Sequence, residues 1–126
     1  MNSNITKATS TLENTPRILR ALKQVGVPPH ILGYKYLAYA VELVLNDDTC
    51  LHRVTKELYP AIAKKFKSTS TRVERAIRHG VEVACNCMTP NMFEELFGNT
   101  LGPNSNVRPC NSHFIATIVE MVEYGF

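Results

Sequence analysis

The sequence predicts an all-α domain, a compact bundle of about six helices that contains a helix-turn-helix. Three observations lead to this fold class. Apolar residues recur at helical spacing, no segment keeps the apolar-polar alternation of a half-buried strand, and no Asn-Gly pair marks a hairpin. The chain of 126 residues, 44% of them hydrophobic, is long enough for a single core.

Residues 1–13 differ in composition from the rest of the chain. They read MNSNITKATSTLE, are rich in Ser, Thr and Asn, and show no apolar periodicity. This composition predicts a flexible arm over residues 1–13 and a folded domain over residues 14–126. The arm lacks the apolar segment of a signal peptide, and no later run approaches the ~20 apolar residues of a membrane span. We therefore expect a soluble, cytoplasmic protein without a membrane partner.

Two helices are predicted in the first third of the domain. Asn14-Thr15-Pro16 places a capping side chain before a first-turn proline, so the first helix should begin there and end at Gly26. Val27-Pro28-Pro29 forms an extended link. The second helix ends near Asn46-Asp47-Asp48, which we interpret as a helix terminus followed by an N-cap. Its apolar positions are Tyr36, Leu37, Ala40, Val41 and Val44.

The middle of the chain should hold a helix, a turn and a longer helix. A helix is expected to continue through Leu51, Val54 and Leu58, and Pro60 either kinks it or starts the next one. The buried positions beyond the proline are Ile62, Ala63 and Phe66. The chain should turn over Lys67–Ser70, because its consecutive Ser and Thr side chains compete for backbone hydrogen bonds. Thr71 and Glu74 then fit a capping box, which predicts a helix over residues 71–86.

The helix over residues 71–86 is strongly amphipathic. Its inner positions are Val73, Ala76, Ile77, Gly80 or Val81, and Ala84. Its outer positions are Arg72, Arg75, Arg78, His79, Glu82 and Asn86. Four of these, Arg75, Arg78, His79 and Glu82, follow the spacing i, i+3, i+4 and i+7 and form one polar stripe.

Two further helices complete the bundle. Thr89-Pro90 should cap a helix with Phe93, Leu96 and Phe97 inside, and Gly98 should end it. The segment over residues 99–111 is rich in Asn, Gly and Pro, so it is predicted to be a loop. Asn111 or Ser112 should cap the last helix, whose apolar side is Phe114, Ile115, Ile118, Val119 and Val122.

Positive charge is concentrated in one stretch, KKFKSTSTRVERAIRH (Lys64–His79). The net charge is only +3, yet Lys56–Arg78 holds seven Lys or Arg residues and two acids, a local surplus of +5. Two helices joined by a short polar turn, with this charge, predict a helix-turn-helix whose second helix enters the major groove of double-stranded DNA. Arginines near the N-terminus of that helix supply the long donors that guanine edges accept.

The stretch yields two sets of candidate DNA contacts. Predicted base contacts come from Arg72, Glu74 and Arg75, where Glu74 either completes the capping box or accepts from cytosine N4. Hydroxyls of the turn and the basic side chains should bind phosphates. His79 lies a turn deeper, where it binds phosphate or is simply solvated. The predicted phosphate contacts are Lys64, Lys65, Lys67, Ser68, Ser70, Arg78 and His79.

Other chemistry is not favoured by the residue pattern. The cysteines, Cys50, Cys85, Cys87 and Cys110, should be reduced in a cytoplasmic protein. Cys85 and Cys87 form a lone C-x-C pair without a His couple, which favours ordinary packing over zinc. No nucleophile is paired with a base, and there is no glycine-rich phosphate loop. We expect no metal, no cofactor and no enzymatic activity.

Five ordered blocks resemble the C-terminal DNA-binding effector domain of the stage zero sporulation protein A family. They are ALKQVGVPPHILGYKYLAYAVELVLND (Ala21–Asp47), VTKELYPAIAKKF (Val54–Phe66), TRVERAIRHGVEVA (Thr71–Ala84), LFGNT (Leu96–Thr100) and NSHFIATI (Asn111–Ile118). The resemblance implies a six-helix sporulation regulator that binds TGTCGAA-like boxes, often as tandem copies occupied head to tail. It also implies that Arg72, Glu74, Arg75, Arg78 and His79 contact DNA and that Arg108, before the last helix, approaches the backbone.

The chain departs from the family in three places. It has no room for the family's N-terminal receiver domain, so it is either an excised effector fragment or a free-standing protein, and Met1 with the polar arm favours the second. The family contacts the RNA polymerase sigma subunit after the recognition helix, but CNCMTPNMFEEL (Cys85–Leu96) lacks the usual Trp-Ser-Arg-type sequence. Gly80 replaces a family Ala, which either permits closer packing or weakens the helix.

An alternative function belongs to another class. The missing receiver domain and the apolar last helix also fit a protein-interaction module that modulates a full-length regulator or RNA polymerase without reading DNA itself. Such a module would change the DNA affinity of a regulator and show no salt-sensitive DNA binding alone.

Overall fold

The computed structural model describes residues 3–98 and 108–125, with the backbone alone over residues 3–13. In these ranges the chain forms six α-helices and no strand, which confirms the predicted all-α class. The helices are α1 (Ser3–Val25), α2 (Leu32–Asn46), α3 (Tyr59–Phe66), α4 (Ser70–Cys87), α5 (Pro90–Phe97) and α6 (Asn111–Tyr124). Most of the loop predicted over residues 99–111 lies outside the described residues.

Helix α1 begins earlier than the sequence predicts. It runs from Ser3, and Pro16 lies inside it, so the predicted start at Asn14 was wrong. An interior proline removes one backbone hydrogen bond and crowds the preceding turn. Packing of the rest of the helix can offset that cost, and a local sequence pattern contains no information about such packing. The predicted end was right: Gly26 has φ +99°, and the Val27 amide donates to the Leu22 carbonyl at 2.9 Å. The division into an arm over residues 1–13 and a domain over residues 14–126 stays a prediction.

The segment between α2 and α3 is not the continuous helix that was expected. A 3₁₀ turn covers Asp48–His52 and a π turn covers Val54–Leu58. Asp47 caps the first of these as predicted, since its carboxylate accepts from the Thr49 amide at 3.1 Å. Pro60 lies in the first turn of α3, so it starts that helix.

Helix α6 forms the centre of the hydrophobic core. Its predicted apolar side is buried throughout, with Phe114, Ile115 and Ile118 at 0% exposure. Helices α1, α2 and α4 pack against it. The Phe97 ring stacks on the Phe114 ring at 6.0 Å between centroids, which attaches α5 to the same core. The N-cap of α6 is Cys110, without a side-chain cap bond, so the prediction of Asn111 or Ser112 as the cap was wrong.

Helices α2 and α4 cross at two glycines. A Cβ atom added to Gly33 would overlap the Ala76 carbonyl oxygen, and one added to Gly80 would lie 3.8 Å from the Gly33 Cα. Gly33 therefore permits the close approach of the two helix backbones, whereas 3.8 Å is an ordinary van der Waals distance, and the two interpretations of Gly80 stay predictions.

Candidate nucleic-acid interface

Helices α3 and α4 are joined by the short polar turn Lys67–Thr69, which is the element order of a helix-turn-helix. Lys67 ends α3 in the left-handed conformation, with φ +54° and ψ 50°. The Ser68 amide donates to the Ala63 carbonyl at 2.8 Å, and Thr69 adopts the extended conformation from which α4 starts. The polar segment predicted to turn the chain therefore does so, with Ser70 already in the first turn of α4.

The capping of α4 differs from the prediction. Thr69, and not Thr71, is the N-cap, because its hydroxyl accepts from the Arg72 amide at 3.1 Å. The carboxylate of Glu74 instead accepts from the Arg78 guanidinium at 3.0 Å. The capping box of Thr71 and Glu74 was therefore wrong. Several hydroxyl residues lie next to each other here, and Thr69 is the one that adopts the extended backbone conformation of an N-cap. Sequence spacing alone does not identify which of them does so.

Helix α4 exposes the residues predicted to lie outside. Its buried positions are Val73, Ile77, Gly80, Val81 and Ala84, and Ala76 is half-buried. Its exposed positions are Arg72, Arg75, Arg78, His79, Glu82 and Asn86, which we name the outer face of α4. The predicted division of the helix into two faces is confirmed. Four cationic or titratable basic side chains thus lie on one solvent-facing helix surface.

The basic residues of α3 and the turn are partly engaged with the protein itself. Lys64, Lys65 and Lys67 are exposed. The Lys65 ammonium lies 5.6 Å from the centroid of the Tyr39 ring on α2, a cation–π contact. In the same region the Phe66 ring packs against Tyr36 at 5.3 Å between centroids. Lys65 therefore contacts α2, whereas Lys64 has no hydrogen bond or ring contact among the described residues.

The two serines of the turn differ in accessibility from the lysines. The Ser68 hydroxyl oxygen is buried and has no hydrogen-bond partner within the described part of the chain. Ser70 is half-buried in the first turn of α4. The structure thus does not bring the Ser68 hydroxyl to the surface on which the lysines lie.

The segment before α6 lies beside α4. The exposed Arg108 guanidinium donates to the Asn86 side-chain oxygen near the end of α4. Asn111 donates from its amide to the Tyr59 hydroxyl at 2.9 Å and to the Glu74 carbonyl at 3.3 Å. The sequence placed Arg108 near DNA only through the family resemblance. It did not predict the hydrogen bonds of Asn111, since no local pattern identifies a partner 52 residues away.

An open cleft of about 650 Å³ separates this segment from the helix-turn-helix. Arg78 and Glu82 of α4 line one wall, and Arg108 and Cys110 line another. A hydrogen bond with the Ser112 hydroxyl, at 3.3 Å, lowers the pKa of the Cys110 thiol. Burial raises the pKa of Cys50 and of Cys85. All four cysteines are free.

The described residues contain no group of three or more His, Cys, Asp or Glu side chains placed to hold a metal ion. Nor does any helix in residues 3–98 and 108–125 combine the length and hydrophobicity needed to cross a membrane.

A comparison with protein families identifies a match over most of the chain. The family model described as sporulation initiation factor Spo0A C terminal matches residues 18–122 of the 126-residue chain. The matched region starts within α1 and ends within α6, and it includes all of α3, the turn and α4.

Proposed function

The chain belongs to the Spo0A C-terminal family, a family of DNA-binding domains of sporulation regulators, and from this premise we propose that it reads a TGTCGAA-like box with α4 in the major groove. In this proposal Arg72 and Arg75 donate to guanine edges, and phosphate contacts hold the helix in register. A family of DNA-binding regulators is not an enzyme family, and the proposal contains no catalytic step.

The outer face of α4 is the observation that carries the proposal. Arg72 and Arg75 are exposed in the first two turns of a helix of 18 residues, and the opposite face is buried in the core. Among the described residues, Arg75 has no ion pair or side-chain hydrogen bond that would have to break before it binds a base. A helix with one buried face and one cationic face can enter a groove without exposing the core.

Phosphate contacts come in this proposal from the residues around α4. Lys64 and Lys67 precede α4, Ser70 and His79 lie on it, and Lys65 joins them by leaving the Tyr39 ring. Arg78 and Arg108 contribute after exchanging the oxygens of Glu74 and Asn86 for phosphate oxygens. Ser68 stands apart, because its buried hydroxyl reaches a phosphate only if the turn opens.

Tandem boxes and a polymerase contact are finer parts of the same proposal. Two copies bound head to tail would occupy adjacent boxes, as the family resemblance implies. A contact with the RNA polymerase sigma subunit would use the segment from Cys85 to Leu96, which covers the end of α4 and most of α5. Its sequence differs from the family's usual one, so repression and activation are both outcomes of a promoter assay.

One of the two observations that favoured the alternative, a protein-interaction module that does not read DNA, no longer supports it. The apolar side of α6 that favoured it is turned into the chain's own core, where Val119 is the most accessible of the five residues at 9%. An apolar helix buried in this way offers no docking surface.

A mobility-shift titration tests the proposal. The protein is titrated onto a duplex containing TGTCGAA and onto a scrambled duplex at two salt concentrations. We expect tighter binding to the box and a loss of affinity on both duplexes at the higher salt, because the phosphate contacts release counterions. Salt-sensitive binding without preference for the box would refute sequence recognition. No binding, together with an altered DNA affinity of an added full-length regulator, would establish the alternative.

A further inference from the structure

Both helices of the helix-turn-helix meet α6 at the side chain of Asn111. Its amide donates to the Tyr59 hydroxyl at 2.9 Å and to the Glu74 carbonyl oxygen at 3.3 Å. Tyr59 begins α3 and is 7% exposed, and Glu74 lies in the second turn of α4, between Arg72 and Arg75. One amide in the first turn of α6 therefore joins the start of α3 to the N-terminal half of the recognition helix.

The Asn111 hydrogen bonds hold α4 at a different point from its close contact with α2. The close contact with α2 is at Gly33, opposite Ala76 and Gly80. Arg72 lies four residues before Ala76, which is about 6 Å along the helix at ~1.5 Å of rise per residue. A rotation of α4 by about 10° about that contact would move Arg72 by about 1 Å. Hydrogen-bond lengths vary over only ~0.5 Å, so such a movement would break a contact between Arg72 and a base.

Apolar contacts are less directional than hydrogen bonds, so the Asn111 amide adds a constraint on orientation that burial alone does not specify. Val73 and Ile77 of α4 are fully buried, but burial of apolar surface is non-directional. The two bonds of the Asn111 amide are directional, and they lie on the N-terminal side of the glycine crossing, where the base-reading residues are.

We propose that Asn111 is a positioning residue for sequence specificity: without touching DNA, its amide holds α3 and the first turns of α4 in the orientation that base reading by Arg72 and Arg75 requires. This inference rests on the proposed function. A residue of α6 would then determine sequence specificity. Non-specific affinity would not depend on it, because long, flexible side chains can still reach the phosphates after a small rotation of α4.

The test compares Asn111→Ala with a matched control on the same helix. Thr117→Val removes a buried hydrogen bond, from the Thr117 hydroxyl to the His113 carbonyl at 3.0 Å, which does not reach α4. The readout is the ratio of the Kd on a scrambled duplex to the Kd on the TGTCGAA duplex, with the salt dependence of each. Asn111→Ala should lower this ratio about tenfold, within the range of one lost base contact. Affinity for the scrambled duplex and its salt dependence should not change, and Thr117→Val should keep the wild-type ratio.

Three results bear on the inference. A folded Asn111→Ala protein with the wild-type ratio overturns it, and so does an equal loss in Asn111→Ala and Thr117→Val, which would show a merely structural effect. If circular dichroism shows that Asn111→Ala does not fold, the measurement is made on Tyr59→Phe, which removes only the oxygen that accepts the 2.9 Å bond. That variant should lower the ratio about threefold, part of the value of one base contact, and an unchanged ratio again overturns the inference.

The proposed function and the inference fail in different ways. A wild-type protein that binds both duplexes equally refutes sequence recognition and the specificity role together. A wild-type preference for the box that every variant retains refutes only the role of Asn111.

Discussion

The Glu74 carboxylate lies 3.0 Å from the Arg78 guanidinium, one turn further along α4. The Glu74 side chain is 35% exposed and that of Arg78 is 57% exposed, so the pair contributes only about 0.3–0.5 kcal/mol to stability. Its larger effect is on the outer face of α4, where it cancels one positive charge and occupies an arginine that is proposed to bind phosphate. The two residues therefore do not act independently toward DNA.

The Glu74→Gln variant tests whether Glu74 acts through its pair with Arg78 or accepts from cytosine. Removing the carboxylate charge frees Arg78, so we expect tighter binding to every duplex and a salt dependence steeper by about one counterion. Glu82→Gln is the control, since it removes the same charge from the outer face without breaking the Arg78 pair. Titrations at several salt concentrations measure both. A selective loss of affinity for the TGTCGAA box would show instead that Glu74 accepts from cytosine.

The Arg75→Ala variant tests direct base reading. It should cost about 1–3 kcal/mol on the box and far less on scrambled DNA, because a bidentate contact to guanine is lost. Lys64→Ala should weaken binding to both duplexes alike and flatten the salt dependence, as expected for a phosphate contact. Competition binding on the two duplexes measures the difference. An equal loss on both from Arg75→Ala would contradict base reading by this residue.

The Thr69→Ala variant tests which hydroxyl caps α4. It removes the bond to the Arg72 amide, so it should lower the free energy of unfolding by about 1 kcal/mol. Thr71→Ala is the matched control and should change stability by less than about 0.5 kcal/mol, because Thr71 is exposed beyond the cap. Urea unfolding followed by circular dichroism compares them. The reverse order would restore the capping box that the sequence favoured.

The Gly33→Ala variant tests the crossing of α2 and α4. Its methyl group would overlap the Ala76 carbonyl oxygen, which is backbone and cannot move aside locally. We expect a loss of about 3 kcal/mol in the free energy of unfolding, from overpacking. At Gly80 the nearest atom to an added Cβ is a Leu37 methyl carbon at 3.2 Å, a side-chain atom that can shift. Gly80→Ala also gains up to about 1 kcal/mol of helix propensity, so its net effect should stay within about 1 kcal/mol. Equal losses in urea unfolding would contradict this geometry.

The stability of the fold should depend on Tyr59 at alkaline pH. Burial raises the pKa of Tyr59, and the hydrogen bond from Asn111 opposes that shift in part. Because the pKa of Tyr59 is higher in the folded protein, the tyrosine of the unfolded chain loses its proton at a lower pH. The contribution of Tyr59 to the free energy of unfolding is therefore complete below about pH 10 and is lost as pH rises further. Tyr59→Phe should therefore cost about 1 kcal/mol near pH 7 and lose less stability than the wild type between about pH 9 and 11.

Urea unfolding at those pH values measures the effect, and Tyr124→Phe is the control. The Tyr124 side chain is 74% exposed, so its substitution should leave the pH profile unchanged. A wild-type alkaline profile in Tyr59→Phe would contradict the assignment.

Much of the fold follows from local patterns. The two faces of α4, the apolar side of α6 and the N-caps at Asp47 and Thr89 all agree with their predictions. Periodicity and capping are set by residues within one turn of each other, so the sequence contains the whole signal. Where several local signals compete, as with Pro16 and with the hydroxyls around Thr69, the pattern selected the wrong boundary.

The sequence by itself determined that this chain is an all-α domain with one cationic helix face turned to solvent. Only the tertiary structure decided which atoms position that face: the amide of Asn111 on Tyr59 and on the Glu74 carbonyl, and Gly33 against Ala76. The two residues that Asn111 binds lie 37 and 52 residues before it in the sequence. A directional contact over such a separation forms only after the helices have packed. Helical periodicity extends over a few residues and carries no information about that packing.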